Sequence, residues 1–89
     1  MLTLRRISQF KKDYKRCLKR GCEIVKLHTV IEVLANGKKL DAKYRDHSLL
    51  GDYRDCRECH IEPDWLLIYM TTETELVLIR TGTHSDLFE

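Results

Sequence analysis

Apolar positions in the first part of the chain change from the spacing of a strand to that of a helix. Residues 2–6 alternate and predict a short strand. Ser8 is predicted to be a helix N-cap, because its hydroxyl can accept a hydrogen bond from a free backbone N–H. Apolar side chains then recur at i, i+4, i+7 and i+8, the stripe of an α-helix: Phe10, Tyr14, Cys17 and Leu18. Gly21 is predicted to end this helix.

A second helical stripe follows directly and consists of Ile24, Leu27, Ile31 and Leu34. Val30 and Val33 widen it, and Asn36 and Gly37 are predicted to end it. His28 lies within this pattern and is predicted to sit on the surface or the boundary of the helix. Two amphipathic helices in succession predict an αα-hairpin that packs on a flat surface such as a sheet.

The second half of the chain has the period of β-strands. Residues 38–52 are polar and irregular and predict a long loop, which in a small domain is often functional. Strands are then predicted over 53–61, 65–70 and 75–81, with a Pro63–Asp64 turn between the first two. Connections this short make the three strands antiparallel. In the first of them, Cys59 and Ile61 are predicted to face the core, and Glu58 and His60 the opposite side, which is expected to be open.

These elements predict an α+β fold. A short N-terminal strand and a two-helix hairpin pack on a three- to four-stranded antiparallel sheet, with its two most apolar strands in the centre. Eighty-nine residues have room for one modest core, so residues 1–89 are expected to form a single domain.

Charge divides the chain into two unlike parts. Residues 1–26 hold nine Lys and Arg against two acids, a net charge of +7, whereas residues 27–89 hold seven against twelve, a net charge of −5. A basic surface on a small domain favours a polyanionic partner. Four residues of the first helix are proposed to bind this partner: Lys11, Lys12, Lys15 and Arg16. A solvated helix face that only keeps the protein soluble is the alternative.

Other patterns limit location and metal chemistry. No apolar run approaches the roughly 20 residues of a membrane span, and the first residues lack the pattern of a signal peptide, so we expect a cytoplasmic protein. Its cysteines should then be reduced. Cys56 and Cys59, followed by His60, have the spacing of a zinc knuckle. On a strand their odd separation sends them to opposite faces, so we predict small buried hydrophobes rather than metal ligands.

Three histidines, His47, His60 and His84, are distributed among the loop and strand segments of the second half. Histidine has an ordinary pKa near 6.5 and can act as base or acid at neutral pH. Several imidazoles with a carboxylate suit the cleavage of an RNA phosphodiester bond. One group takes the proton of the 2′-hydroxyl, another protonates the departing 5′-oxygen, and a cation stabilises the phosphate.

Three segments of the second half carry a resemblance to a known family. DHSLLG (46–51), RECHIEPDWLLIY (57–69) and RTGTHSDLF (80–88) resemble the YafQ branch of the RelE family, bacterial mRNA-cleaving toxins of type II toxin–antitoxin pairs. The resemblance implies a compact α+β ribonuclease fold and an endoribonuclease that cuts mRNA in the ribosomal A site. It implies no cofactor or membrane. It also implies a cognate antitoxin, typically with a ribbon-helix-helix DNA-binding half. The toxin would bind operator DNA only through its complex with this antitoxin.

The same resemblance places candidate residues in the site. His84 is the proposed base on the 2′-hydroxyl, and His47 and His60 are candidates for leaving-group acid and phosphate stabiliser, in an order that stays open. Asp64 is proposed to orient a histidine or to stabilise its protonated form. Three further residues are candidates for contact with substrate: Trp65 and Phe88 with a base and Arg80 with a phosphate. Packing for the aromatic residues and a strand-end ion pair for Arg80 are the structural alternatives.

Two other functions compete with the endoribonuclease. A basic RNA- or DNA-binding module would carry the same charge pattern, with its histidines forming only hydrogen bonds. A zinc ribbon, the minor alternative, would use Cys56, Cys59 and His60.

Overall fold

A computed structural model describes residues 1–88 of the chain. These residues form five strands and three helices in this order: β1 (Thr3–Arg6), α1 (Ser8–Lys19), α2 (Ile24–Ala35), β2 (His47–Ser48), β3 (Arg57–Glu62), β4 (Trp65–Thr71), β5 (Glu75–Gly82) and α3 (His84–Phe88). Short 3₁₀ turns lie at Ala42–Tyr44 and Gly51–Tyr53. Within residues 1–88, no helix is long and apolar enough to cross a membrane.

The helical hairpin forms as predicted, apart from its first cap. Ser8 is the first helical residue and Ile7 is the N-cap, which has no capping side chain, so the assignment of Ser8 was wrong. At the other end Gly21 has φ +77°, a conformation that suits glycine. The N–H groups of Gly21 and Cys22 donate to the carbonyls of Leu18 and Cys17 at 3.2 and 3.1 Å, which ends α1 and starts the turn into α2.

The sheet confirms the α+β prediction and extends it. Its strand order is β1-β5-β4-β3-β2, with β4 in the centre and β3, β4 and β5 antiparallel. The prediction of three to four antiparallel strands did not include β2 or the parallel pairing of β1. β2 is a strand of only two residues at one edge. At the other edge β1 pairs parallel to β5, because β1 leads directly into α1 and α1 packs on β5. The first long strand begins at Arg57 rather than at Tyr53, since Tyr53 closes a 3₁₀ turn.

Helices cover one face of the sheet, and a smaller cluster covers part of the other. On the helix side, Phe10, Leu27 and Val30 pack against inward-facing residues of the strands, including the buried Cys59 and Ile61 as predicted. The opposite side was expected to be open. It carries a second, smaller cluster, formed by Leu66, Ile68 and Leu87 with Leu49, Tyr53, Cys56 and Ile79 around them. The segment before β3 and the helix α3 therefore shield part of that face.

A buried carboxylate fastens α1 to the end of β5. Asp13 is 0% exposed, and its two oxygens accept hydrogen bonds from the Arg80 guanidinium at 2.7 and 3.2 Å. They also accept from the Thr81 backbone N–H at 3.1 Å, from Arg16 at 2.8 Å and from Gln9 at 3.3 Å. A buried charge persists only when it is paired and hydrogen-bonded, as this one is.

We predict that Asp13→Asn lowers the free energy of unfolding by about 3 kcal/mol, because it leaves the partly buried Arg80 guanidinium without its counter-charge. Urea denaturation followed by circular dichroism measures this. Asp52→Asn, which changes an exposed carboxylate in a 3₁₀ turn, is the matched control and should stay within about 0.5 kcal/mol of the parent. Equal stability of the two variants would mean that the Asp13 network does not hold α1 in place.

Candidate active site

Three imidazole rings from separate elements lie in one row. His47 begins β2, His60 lies in β3 and His84 begins α3. The ring centroids of His47 and His60 are 6.4 Å apart, and those of His60 and His84 are 5.9 Å apart. The fold thus brings together the three histidines that were predicted to form the site.

Each of these rings is held through its Nδ1 atom by an oxygen that can only accept. Nδ1 of His47 lies 2.7 Å from the Arg45 carbonyl, and Nδ1 of His60 lies 3.3 Å from the Pro63 carbonyl. Nδ1 of His84 lies 2.8 Å from the Asp64 carboxylate. An acceptor at this position requires the hydrogen on Nδ1, so the neutral tautomer leaves Nε2 free to take a proton. Nε2 of His84 is therefore left to accept a proton, whereas Nε2 of His47 and Nε2 of His60 both face the Glu58 carboxylate.

Asp64 holds His84 at two points. Its Oδ1 accepts from the backbone N–H of His84 at 3.0 Å as well as from Nδ1. These hydrogen bonds, the backbone one first, lower the pKa of the Asp64 carboxyl below its usual range. An ionised carboxylate here can orient the ring and stabilise a positive charge that forms on it.

Glu58 belongs to the same cluster, although it was not predicted among the catalytic candidates. The residue is 5% exposed, and its Oε1 lies 3.5 Å from Nε2 of His47 and 3.6 Å from Nε2 of His60. The signal was present in the alternation of β3, which places Glu58 and His60 on one side. A buried negative charge between two imidazoles can stabilise the protonated form of either.

His47 reaches the cluster through a short strand at the sheet edge. His47 pairs with Glu58, and Ser48 pairs with Arg57. The Arg57 side chain donates to Asp46 at 3.1 Å and to the Ser48 hydroxyl at 3.0 Å, one contact on each side of His47. A two-residue strand has few ladder hydrogen bonds, so these side-chain contacts help to fix it.

The short helix α3 places His84 and Phe88 with a capping box. The Thr83 backbone N–H donates to the Asp86 carboxylate at 2.9 Å, and the Asp86 N–H donates to the Thr83 hydroxyl at 3.1 Å. Arg20, at the end of α1, donates to both Asp86 oxygens at 2.7 and 3.2 Å. Gly82 is required before this helix, because an added Cβ would come within 2.8 Å of Asp86 Oδ2. This capping box was not predicted from the sequence.

Phe88 stands beside the histidines. It is 49% exposed, its ring centroid lies 6.3 Å from that of His84, and Tyr53 meets it edge-on at 6.1 Å. An exposed ring next to a candidate base is suited to stack on a nucleobase.

Two proposed substrate contacts have internal roles instead. Trp65 is 6% exposed in the helix-side core, and its indole N–H donates to the Thr81 hydroxyl at 3.0 Å. The Arg80 guanidinium binds Asp13, and its side chain is 17% exposed. The structural alternatives that the sequence left open, packing for Trp65 and an ion pair for Arg80, are therefore what the geometry supports.

The basic surface of α1 is smaller than predicted. Lys11, Lys12 and Lys15 are exposed, whereas Arg16 donates to the buried Asp13 at 2.8 Å and so does not belong with them. Three lysines of the proposed set remain available to a polyanion.

The cysteines do not assemble a metal centre. Cys59 is fully buried, and burial raises the pKa of its thiol to about 12. Burial also raises the pKa of the Cys56 thiol, on the other side of the sheet. Among residues 1–88, no three side chains of His, Cys, Asp or Glu are arranged to hold one metal ion. The zinc ribbon is thus not supported.

Comparison with known proteins gives the family. The sequence model described as "Bacterial toxin of type II toxin-antitoxin system, YafQ" matches residues 2–89. The chain belongs to the YafQ toxin family. The mRNA interferase toxin YafQ of Escherichia coli K12 is 43% identical over 81 residues, which cover 90% of this chain and 88% of the relative. The resemblance found in the sequence motifs is confirmed.

Solved structures of two bacterial toxins have the same fold. The structure of the E. coli DinJ-YafQ toxin-antitoxin complex matches with a TM-score of 0.92 at 39% identity, covering 99% of this chain and 98% of that one. A metal-bound toxin from Helicobacter pylori matches with a TM-score of 0.92 at 43% identity, covering 99% and 100%. The YafQ fold thus extends over both the helical half and the histidine-bearing half.

The link between Arg20 and Asp86 generates a pH prediction. Hydrogen bonds from Arg20 hold the pKa of the Asp86 carboxyl well below its usual range. The Arg20–Asp86 ion pair therefore stabilises α3 fully above pH about 4, and this stabilisation is lost as the pH falls through the lowered pKa of Asp86. We expect the Asp86 carboxyl to titrate below pH about 3.9 in NMR, and Arg20→Gln to move this midpoint upward and to shift the His84 amide signal. Arg6→Gln, at an exposed position of β1, is the control. An unmoved Asp86 midpoint in Arg20→Gln would contradict the assignment.

Proposed function

We propose that this YafQ-family protein is a toxin that cleaves mRNA in the ribosomal A site by metal-independent acid–base chemistry. The observation that carries the proposal is the cluster of three imidazoles, each held by an oxygen at Nδ1. Nε2 of His84 is left to accept a proton, and Nε2 of His47 and Nε2 of His60 face the Glu58 carboxylate, which favours their protonated form as acid and as cation. The name of the E. coli relative, an mRNA interferase toxin, supports the same reaction.

In this mechanism His84 is the general base. Its Nε2 takes the proton of the 2′-hydroxyl, and Asp64 stabilises the imidazolium that results. The 2′-oxygen attacks the adjacent phosphorus and the bond to the 5′-oxygen breaks, which gives a 2′,3′-cyclic phosphate and a 5′-hydroxyl. His47 and His60 supply the proton of the leaving group and the positive charge next to the phosphate. Glu58 stabilises that charge, and Phe88 stacks on a base.

The partners follow from the family. We propose a cognate antitoxin, typically of the ribbon-helix-helix type, that neutralises the toxin and carries the pair to operator DNA, in the cytoplasm where ribosomes and mRNA are found. The E. coli relative crystallised with DinJ supports the antitoxin.

We predict that His84→Ala abolishes growth arrest on induction and lowers the rate of mRNA cleavage by roughly 10²- to 10⁴-fold, because the general base is removed. Primer extension on ribosome-bound message measures the rate. His28→Ala is the matched control. This exposed histidine of α2 forms a hydrogen bond of 2.7 Å between its Nε2 and the Tyr14 hydroxyl, and it lies outside the row of His47, His60 and His84. Growth arrest by His84→Ala equal to that by the parent would favour a binding module that does not need the histidines.

Metal independence is tested with a chelator. The H. pylori relative is described as metal-bound, but the side chains of this site are not arranged around a common ion, and the proposed proton transfers need only the histidines. We therefore expect cleavage to persist in a chelator that removes transition metals and leaves magnesium-dependent ribosomes intact. Cleavage that disappears and returns with added zinc or copper would reject this part of the mechanism.

The basic surface of α1 is proposed to hold ribosomal RNA. We expect Lys11, Lys12 and Lys15 changed together to Gln to weaken co-sedimentation with ribosomes and to reduce the salt slope by about 1 for each phosphate that is no longer neutralised. Cleavage should recover at high protein concentration. Lys38 and Lys39 changed to Gln, both exposed beyond α2, are the control. A salt slope equal to that of the parent would mean that the ribosome is held elsewhere.

A further inference from the structure

A pocket of about 510 Å³ adjoins the row formed by His47, His60 and His84. It lies between α2, the Ala42–Tyr44 turn and the end of β3, and its wall includes Lys26, Lys43, Tyr44, Arg45, His60 and Glu62. This volume falls within the range of about 300–1,000 Å³ that is usual for small ligand sites. Because His60 belongs to both the pocket and the row, a strand bound across the histidines can continue into the pocket.

The pocket carries a net positive charge, and only part of it is neutralised by a carboxylate. Lys26 donates to Glu62 at 2.8 Å, so these two groups neutralise each other. Lys43 and Arg45 are both exposed, and neither pairs with a carboxylate among residues 1–88. Lys43 lies over the Tyr44 ring, 5.2 Å from its centroid. Two cations without counter-ions beside a catalytic row favour an anionic ligand.

Local hydrogen bonds hold the segment that carries both cations. The Asp41 carboxylate accepts from the Lys43 backbone N–H at 3.0 Å, and the Arg45 N–H donates to the Ala42 carbonyl at 3.1 Å. Tyr44 packs against the helix-side core. The Arg45 carbonyl is also the acceptor for Nδ1 of His47, so one short segment carries the cations and orients a proposed catalytic ring.

Arg45 has an unusual backbone for its residue type. Its φ is +49° and ψ is +43°, the left-handed conformation, which glycine adopts without strain. Arg45→Gly therefore removes the side chain while keeping the backbone carbonyl that His47 uses. This makes it a selective test of the side chain alone.

We propose that this pocket binds the phosphate of the nucleotide next to the cleaved bond of the message, through Lys43 and Arg45. The inference rests on the proposed function and adds a substrate subsite to it. RNA carries a phosphate on every nucleotide, so a strand with its reacting phosphate at His60 presents another one nucleotide away. An arginine guanidinium matches two phosphate oxygens, and a lysine adds a point charge.

Cleavage kinetics test the subsite first. In single-turnover cleavage of ribosome-bound message, Lys43→Gln with Arg45→Gly should raise the toxin concentration for half-maximal rate about 10-fold and reduce its salt slope by about 1. The effect should fall on this concentration much more than on the maximal rate. Lys39→Gln, which removes an exposed charge outside the pocket, should match the parent. An unchanged half-maximal concentration in the double variant would overturn the subsite while the endoribonuclease stands.

A binding measurement separates this result from failure of the proposed function. A short single-stranded RNA with 2′-O-methyl groups, which cannot be cleaved, is titrated into the ¹⁵N-labelled protein. We expect amide shifts at residues 43–45 and at His60, and their disappearance in the double variant. Shifts at these residues with a parent protein that cleaves no message would support the subsite and reject the nuclease. Shifts confined to other surfaces, or shifts that the double variant retains, would reject the subsite.

Discussion

The buried carboxylate of Asp13 is the contact on which the arrangement of this protein depends. It sits on α1, yet its hydrogen bonds go to Arg80 and Thr81 at the end of β5, immediately before the segment that carries His84. A charge buried in this way constrains geometry strongly, because any shift of the helix leaves it unsatisfied. The C-terminal end of the same helix supplies Arg20 to Asp86 of α3. The position of α3, and hence of His84, is thus tied to α1 at two places.

The tautomer of each imidazole in the proposed chemistry is set by the oxygen that its Nδ1 atom meets. Two of the three acceptors are backbone carbonyls, those of Arg45 and Pro63, and only Asp64 is a side chain. Backbone oxygens are set by turn geometry, so the tautomer of these rings is a consequence of how the chain bends. A site built on a sheet, a tight turn and a capped helix keeps such contacts in register.

Charge has two separate uses in this chain. Arg16 and Arg80 belong to the Asp13 network and contribute to packing, whereas Lys11, Lys12 and Lys15 stay on the surface and Lys43 and Arg45 line the pocket beside the site. In the proposed function the second group holds RNA, first at the ribosome and then at the cleaved strand. A count of basic residues alone cannot separate these roles, because it does not show which carboxylate each one meets.

The amino-acid sequence by itself determined the two helices, the three long strands, the side of β3 that holds His60 and the family. Each of these is encoded locally, in the spacing of apolar residues or in short contiguous motifs. The tertiary structure alone decided the parallel pairing of β1, the packing of Trp65, the engagement of Arg16 and Arg80 with Asp13, and the place of Glu58 between two imidazoles. Asp13 and Arg80 are 67 positions apart, and no local periodicity relates residues at that separation. Such contacts exist only once the hairpin packs on the sheet, which is why a single sequence does not reveal them.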